Sequence, residues 1–235
     1  MTYLLVDAAK NNVCKHLQVR CDKFQPQKQP LVYQYRIADE VLPRSNVVSD
    51  LGVILDEKLS FRQHYSMITN KANRQLGVIM RIGKEFDDPG TLKALYCSLV
   101  RSILESACVV WDPYYDYWKK RIECIQKRFV RRVCRTLPWR NPDSLPPYED
   151  LCQLLGLAPL EQRRRDILMR TAHKILTGTY NCPAILATLH LNCPLRPQRH
   201  QRLLRLDVHR SNYALHEPIR RMAQEYNRSG HNFNF

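Results

Sequence analysis

The sequence has few glycines and no long apolar segment. Its 235 residues include only seven glycines, and none of them belongs to a GxxxxGKS/T or GxGxxG pattern. Nucleotide binding by either of those phosphate loops is therefore excluded. No apolar run approaches the ~20 residues needed to span a bilayer, and Met1–Lys10 is too short, with Asp7 inside it, to be a secretory signal. We expect an intracellular protein, cytoplasmic or nuclear, with no membrane partner.

Disulfide and metal frameworks are also missing from the sequence. The nine cysteines are an odd number at irregular spacings, a pattern typical of reduced thiols that serve as small core residues. Cys182, His190, Cys193 and His200 lack the CxxC spacing of a zinc knuckle, and nothing in the local sequence marks a cysteine nucleophile. We expect this chain to hold no metal and no cofactor.

One pair of adjacent aspartates invites comparison with a polymerase metal site. Two-metal phosphoryl transfer requires carboxylates that converge on two divalent ions. Asp87 and Asp88 follow no predicted strand, and Pro89 comes next, so Asp88 is predicted to cap a helix instead. We therefore predict no catalytic residue, and no enzymatic activity for the chain as given.

The charge is strongly positive and unevenly distributed. The net charge is +15. Residues 1–60 hold 8 Lys+Arg against 7 Asp+Glu, whereas residues 61–235 hold 29 against 15. A field of this sign attracts polyanions, nucleic acid above all, although many basic proteins carry only a solvated basic face.

Alternating apolar residues confine the predicted β structure to the N-terminal part. Val32–Ile37 and Val47–Leu55 have the period of two and the β-branched or aromatic content of strands, which predicts a hairpin or small sheet. Gly52 lies inside the second pattern. We interpret it as a bulge; the alternative is the close approach of another backbone or a ligand.

Two amphipathic helices follow the strands. Ser60 and Gln63 have capping-box spacing, which predicts a helix from Ser60 to about Arg81. A second helix, Thr91–Trp111, has the densest apolar pattern and is predicted to be the central buried one. Its expected buried residues are Leu92, Leu95, Tyr96, Leu99, Val100, Ile103, Leu104 and Ala107.

A third helix, predicted at Tyr117–Arg135, is the most basic segment. Ile122, Ile125, Phe129 and Val133 form its predicted buried stripe, and Glu123 is its only acid. Like charges at this density repel one another, so a polyanion that neutralises them would stabilise the face. A solvated basic face without a partner is the alternative. The candidate nucleic-acid-binding residues here are Lys119, Lys120, Lys127, Arg128, Arg131, Arg132 and Arg135.

Prolines between Leu137 and Pro147 predict a loop or linker. Helices are then predicted at Tyr148–Leu155, Pro159–Leu176 and Pro218–Tyr226. Arg163, Arg164 and Arg165 lie on the first turns of the long one, where basic residues oppose the helix dipole unless an acid or a phosphate offsets them. Arg163 and Arg164 complete the set of candidate nucleic-acid-binding residues.

Several short motifs resemble one family. Asp50–Asp56, Leu59-Ser60-Phe61, His64, Lys71-Ala72-Asn73 and Leu76-Gly77 are similar to the segment after the palm in jockey-like non-LTR retrotransposon reverse transcriptases. The similarity extends over about residues 31–235. Further matching segments are Ser98–Arg101, Ile103–Glu105, Val110–Pro113, Ile125–Phe129, His209–Tyr213, Glu217–Ile219 and Phe233–Phe235.

The resemblance implies a mainly α fold: a helical, thumb-like bundle with a small N-terminal β hairpin or sheet remnant of a polymerase palm. It assigns residues 1–56 to a partial palm-edge segment and 57–136 to the thumb-like domain. A proline-rich linker and short helix at 137–158 and a helical and irregular basic subdomain at 159–235 complete the expected organisation.

The function that the resemblance implies is that of a truncated reverse transcriptase fragment. The catalytic palm has no counterpart here, and Mg²⁺ would be needed only in a full-length parent protein. Residual binding to the backbones of RNA and DNA in a template-primer duplex is then expected. The alternative is a helical protein-interaction module with a solvated basic face and no nucleic-acid role.

Overall fold

A computed structural model describes residues 36–37, 40–41, 45–83, 88–136, 146–192, 202–208 and 215–228. Within these ranges the protein is mainly helical with β structure on the N-terminal side, as the sequence predicts, and this β structure forms two short antiparallel hairpins. The strands are β1 (Arg36–Ile37), β2 (Glu40–Val41), β3 (Val47–Asp50) and β4 (Val53–Asp56).

A π-helical segment, Tyr96–Arg101, lies between the second and third of the described helices. In the part of the chain that the structure describes, no helix has the length and apolarity to cross a bilayer. The helices are α1 (Arg62–Ile82), α2 (Pro89–Leu95), α3 (Ser102–Glu105), α4 (Cys108–Trp111), α5 (Asp116–Thr136), α6 (Tyr148–Leu154), α7 (Leu160–Leu176), α8 (Pro183–Leu186) and α9 (Pro218–Arg228).

The predicted second strand is in fact a complete hairpin. Asp50 pairs with Val53, which leaves a two-residue loop between β3 and β4. Leu51 and Gly52 in this loop both have positive φ, 47° and 83°, as a type I′ turn requires. The interpretation of Gly52 as a bulge is therefore wrong, because the chain reverses at this glycine.

An acidic side chain orders the start of α1 in place of the predicted Ser60 cap. Phe61 occupies the N-cap position without a capping side-chain bond. The Asp56 carboxylate accepts hydrogen bonds from the Ser60 and Phe61 amides, at 3.1 and 2.9 Å, and from the Ser60 hydroxyl. Burial raises the pKa of Asp56, but these bonds outweigh burial and leave that pKa below its ordinary value.

The central helix is interrupted where the sequence predicts a continuous one. Its buried residues recur at every fourth position from Leu92 through Tyr96, Val100 and Leu104 to Cys108. In a regular α-helix of 3.6 residues per turn, side chains four residues apart move gradually around the helix axis. A π-helical turn contains more residues, so it keeps these side chains on one side of the helix. Leu99 is consequently 42% exposed rather than buried.

The helix breaks a second time at Ala107, which has φ of 51°. Ala107 is exposed, contrary to prediction. This break turns the chain into α4, whose Trp111 side chain is fully buried and donates a hydrogen bond from Nε1 to the Ser106 carbonyl.

The first hydrophobic core joins α1, the central helix, α5 and α6. It includes buried residues from Val53 to Leu160. The rings of Tyr96 and Phe129 stack inside it, with centroids 4.2 Å apart. The helix α6 from the predicted linker region contributes Leu151 and Cys152 to the same core.

A buried glutamine on α5 adds directional bonds to this packing. The Gln126 side chain is inaccessible to solvent. Its carbonyl oxygen accepts from the Tyr96 hydroxyl at 3.0 Å. Its amide nitrogen donates to the Tyr148 hydroxyl at 2.9 Å and to the Ala158 carbonyl at 3.0 Å. These bonds connect α5 to three other segments and satisfy its buried amide.

A second hydrophobic core lies between α7 and α9 and includes Leu168 and Met222. A carboxylate connects the first core to this second one. Asp112 accepts from Arg164 Nε of α7 and from Arg221 Nη2 of α9, both at 2.5 Å. The three side chains are 19%, 1% and 14% exposed. Shielding of this kind makes the loss of one partner costly, because the remaining charge stays buried.

Replacing Phe129 with alanine should lower the free energy of unfolding by ~3–5 kcal/mol, because the ring is 1% exposed and its removal leaves a cavity beside Tyr96. Urea denaturation followed by circular dichroism measures the change. Cys124→Ala, at an exposed position on the same helix, should stay within ~0.5 kcal/mol of wild type. A loss below ~1 kcal/mol for Phe129→Ala would contradict the assigned core.

Asp112→Asn should lower the free energy of unfolding by ~3–5 kcal/mol, because it leaves the buried Arg164 guanidinium without its counter-charge. The double variant with Arg164→Met should lose less than the sum of the two single changes. Asp207→Asn is the matched control, since Asp207 pairs with Arg205 on the surface and should cost under ~1 kcal/mol. Equal losses for the two asparagine variants would show that the cluster does not join the cores.

Candidate nucleic-acid interface

Basic side chains lie on the outer face of α5. The apolar positions determine how the helix is rotated, because they must face the core. The predicted stripe of Ile122, Ile125, Phe129 and Val133 is confirmed, each residue being at most 2% exposed. Positions on the opposite side therefore face outward. Those that are exposed and basic are Lys120, Arg121, Arg128, Arg131, Arg132 and Arg135.

The acids among the described residues do not pair with these outward cations. Within the described ranges, none of the six forms an ion pair. From Lys120 to Arg135 the face extends roughly 22 Å at 1.5 Å per residue. Mutual repulsion along this length raises the local electrostatic free energy, which a polyanion would lower.

The only acid in the middle of α5 points away from this face. Glu123 accepts hydrogen bonds from the Tyr148 hydroxyl and from the Leu160 amide. Burial raises the pKa of Tyr148, and the adjacent Glu123 raises it further. Glu123 is thereby committed to the contact between α5, α6 and the start of α7, and it leaves the outer face uncompensated.

Two of the predicted cations are held in place by uncharged partners. Arg128 donates from Nη1 to Asn73 Oδ1 of α1 at 2.9 Å. The Lys127 ammonium lies 4.9 Å from the centre of the Tyr148 ring, within cation–π range. Both contacts restrict the side chains without cancelling their charge.

A groove of about 410 Å³ runs between α1 and α5. Leu76, Gly77 and Met80 of α1 line it, together with Arg81, Arg128 and Arg132. Gly77 has open space where a Cβ would lie, so the helix backbone is accessible there. Arg81 is not among the site residues predicted from the sequence, because the periodic pattern of α1 identifies only its buried stripe.

Three predicted site residues do not belong to the exposed basic face. Lys119 pairs with Glu161 at 3.3 Å, and Arg163 forms a two-pronged ion pair with Glu105. Arg164 is buried and bound to Asp112, which is contrary to its prediction as a residue that contacts nucleic acid. The sequence could not reveal these partners, because each acid is distant along the chain.

The arginine triplet at the start of α7 has an acid for every member. Arg163 and Arg164 meet Glu105 and Asp112, and Arg165 pairs with Glu161 at 2.6 Å. Their unfavourable position near a helix N-terminus is thus offset inside the protein. A phosphate is not needed for that purpose.

Asp88 caps the start of α2, as the sequence predicts. The Asp88 carboxylate accepts from the Thr91 hydroxyl and from the amides of Thr91 and Gly90. These bonds lower the pKa of Asp88; the bond from the Thr91 hydroxyl has the largest effect, and the two amide bonds have smaller ones. Asp87 lies outside the described residues. In the parts that the structure describes, no three His, Cys, Asp or Glu side chains are grouped to hold a metal.

Comparison with known proteins adds one relative. An uncharacterized protein from Caenorhabditis elegans is 28% identical over 142 residues, which cover 60% of this chain and 69% of the relative. No protein-family model matches the chain, and no solved structure matches it.

Proposed function

We propose that this chain corresponds to the thumb and C-terminal tail of a non-LTR retrotransposon reverse transcriptase, and that it binds the backbones of RNA and DNA through α5. The observation that carries the binding proposal is the outer face of α5, where exposed cations meet no acid within the described ranges. The reverse-transcriptase assignment rests on the motif resemblance described above.

The form of the face favours a nucleic-acid backbone over a compact anion. Its cations spread along the helix axis, and duplex DNA carries one charge per about 1.7 Å of its own axis. Arg128 and Arg132 also border the groove beside α1, where Arg81 adds a cation from the opposite side. A phosphate strand along α5 would meet cations over the whole length of the helix.

Binding of this kind reads charge and shape rather than sequence. Arginine and lysine contacts to phosphates position a protein on nucleic acid but carry no base information. We therefore propose binding to a template-primer duplex without sequence preference. Polymerisation would need converging carboxylates, and the sequence predicts none, so we propose that the chain alone is not an enzyme.

Changing Arg131, Arg132 and Arg135 together to glutamine should weaken binding to a labelled RNA:DNA duplex and flatten its salt dependence. Each lost phosphate contact reduces the slope of log K against log salt by roughly 0.9 for B-form DNA. Fluorescence anisotropy over a salt series measures both quantities. Glutamine removes the charge while remaining a good helix former, so circular dichroism should be unchanged.

The matched control changes Arg170, Arg202 and Arg205 to glutamine, which removes the same formal charge from exposed positions outside α5; Arg205 pairs with Asp207. Its affinity should stay close to that of wild type. Equal losses in the two triple variants would mean that only overall charge matters. An absence of wild-type binding even at low salt would favour the protein-interaction alternative.

The purified chain should not extend a primer with Mg²⁺ or Mn²⁺ on RNA or DNA templates. The reason is chemical, because two-metal catalysis requires converging carboxylates and Asp88 is engaged in capping α2. Incorporation of labelled nucleotide is the measurement. Activity that disappears in an Asp87→Asn, Asp88→Asn variant would contradict the proposal, and activity that survives it would indicate a contaminating polymerase.

A further inference from the structure

Exposed aromatic rings surround the start of α5, next to its basic face. Tyr114, Tyr115 and Tyr117 are 36%, 52% and 62% exposed. Large apolar rings usually become buried when they can, so a group of exposed ones on a folded surface indicates a binding site. The chemistry around these rings identifies what they would bind.

The rings are held on a rigid base. Trp118 is half-buried and packs against Tyr65, with ring centroids 5.1 Å apart. The Tyr117 ring contacts the Trp118 ring edge to face. Tyr114 stacks almost parallel on His216, at 4.3 Å, and contacts Tyr115 at 4.0 Å. The Tyr115 carbonyl accepts hydrogen bonds from the backbone amides of Trp118 and Lys119. This fixed base lowers the entropy lost when a ligand stacks on the outer rings.

Basic side chains lie beside the rings, and the exposed Asp116 lies between Tyr115 and Tyr117 in the chain. Arg121 donates from Nη1 to the Tyr117 hydroxyl at 3.0 Å, and its guanidinium lies 5.3 Å from the centre of the Trp118 ring. Lys120 is exposed one residue away. Burial lowers the pKa of His216, and the nearby charges of Arg221 and Lys119 lower it further, which is the effect of a positive local potential.

Exposed tyrosines beside cations suit a ligand that is flat and anionic at once. A nucleotide of a single strand has this combination, because its base stacks on aromatic rings while its phosphate pairs with Arg or Lys. Duplex bases are covered by their neighbours and cannot stack in this way. An apolar protein surface would gain nothing from the adjoining cations.

We propose that Tyr115 and Tyr117 form a stacking platform for unpaired bases, positioned where a single strand continues from the backbone bound along α5. The proposal rests on the proposed function, since α5 would hold the phosphates of the same nucleic acid. Tyr114 contacts the Tyr115 ring and Trp118 contacts the Tyr117 ring. The platform would favour nucleic acid with a single-stranded end over a blunt duplex.

The test compares two labelled single strands with the same number of phosphates, an oligothymidylate and an abasic strand. Wild-type protein should bind the oligothymidylate more tightly, since only that strand offers bases. Tyr115→Ala, Tyr117→Ala should reduce this preference about fivefold or more per tyrosine. Tyr115→Phe, Tyr117→Phe keeps the rings and should retain the preference. Circular dichroism checks that both variants fold.

Equal wild-type binding of the two strands would overturn the platform, as would a preference that persists in the alanine variant. A blunt RNA:DNA duplex provides the separate readout for the proposed function. Its binding should be unchanged in the tyrosine variants and weakened in the α5 triple glutamine variant. Duplex binding without base preference would overturn the platform alone, whereas base-dependent single-strand binding without duplex binding would overturn only the duplex proposal.

Discussion

The rotation of α5 about its own axis is the constraint on which the basic face depends, and Gln126 fixes that rotation. Apolar packing tolerates small rotations, because hydrophobic contact has no preferred direction. The amide of Gln126 is directional: it must meet Tyr96, Tyr148 and the Ala158 carbonyl together. A shift by one residue, about 100° around the helix, would leave a buried amide unsatisfied, at a cost of ~1–3 kcal/mol.

The same bonds explain why charge accumulates on only one side of α5. With Gln126 and the apolar stripe turned inward, Glu123 lies beside Tyr148, where its carboxylate has a partner. From Lys120 onward, the charged positions of α5 that are exposed are all basic. The cost of repulsion among them is distributed along the helix and offset by a core that α5 shares with α1, the central helix and α6. The fold therefore supplies a stable support for an unfavourable surface.

Much of the helical architecture could be predicted from the sequence, because periodic burial and caps act locally. The stripe through Phe129, the Asp88 cap and the helix at Leu160–Leu176 follow from neighbouring residues. The failures involve distant partners or unusual backbone. Arg164 is a candidate nucleic-acid contact by sequence and a buried residue in the structure, where its partner Asp112 lies 52 residues away along the chain. Sequence places Gly52 in a strand because β-branched residues lie on both sides of it, Val47 and Val48 before it and Val53 and Ile54 after it.

Because of the π-helical segment, the central helix tolerates no insertion or deletion of single residues without a change in its packing. Relative to a regular α-helix it accommodates an additional residue, which lets Leu92, Tyr96, Val100 and Leu104 share one side. A one-residue deletion there would turn everything that follows by about 100°, including Trp111 and the carboxylate that joins the two cores. Insertions and deletions are consequently better tolerated in connecting loops than here, so homologues that keep both cores should also keep the number of residues between Leu92 and Asp112.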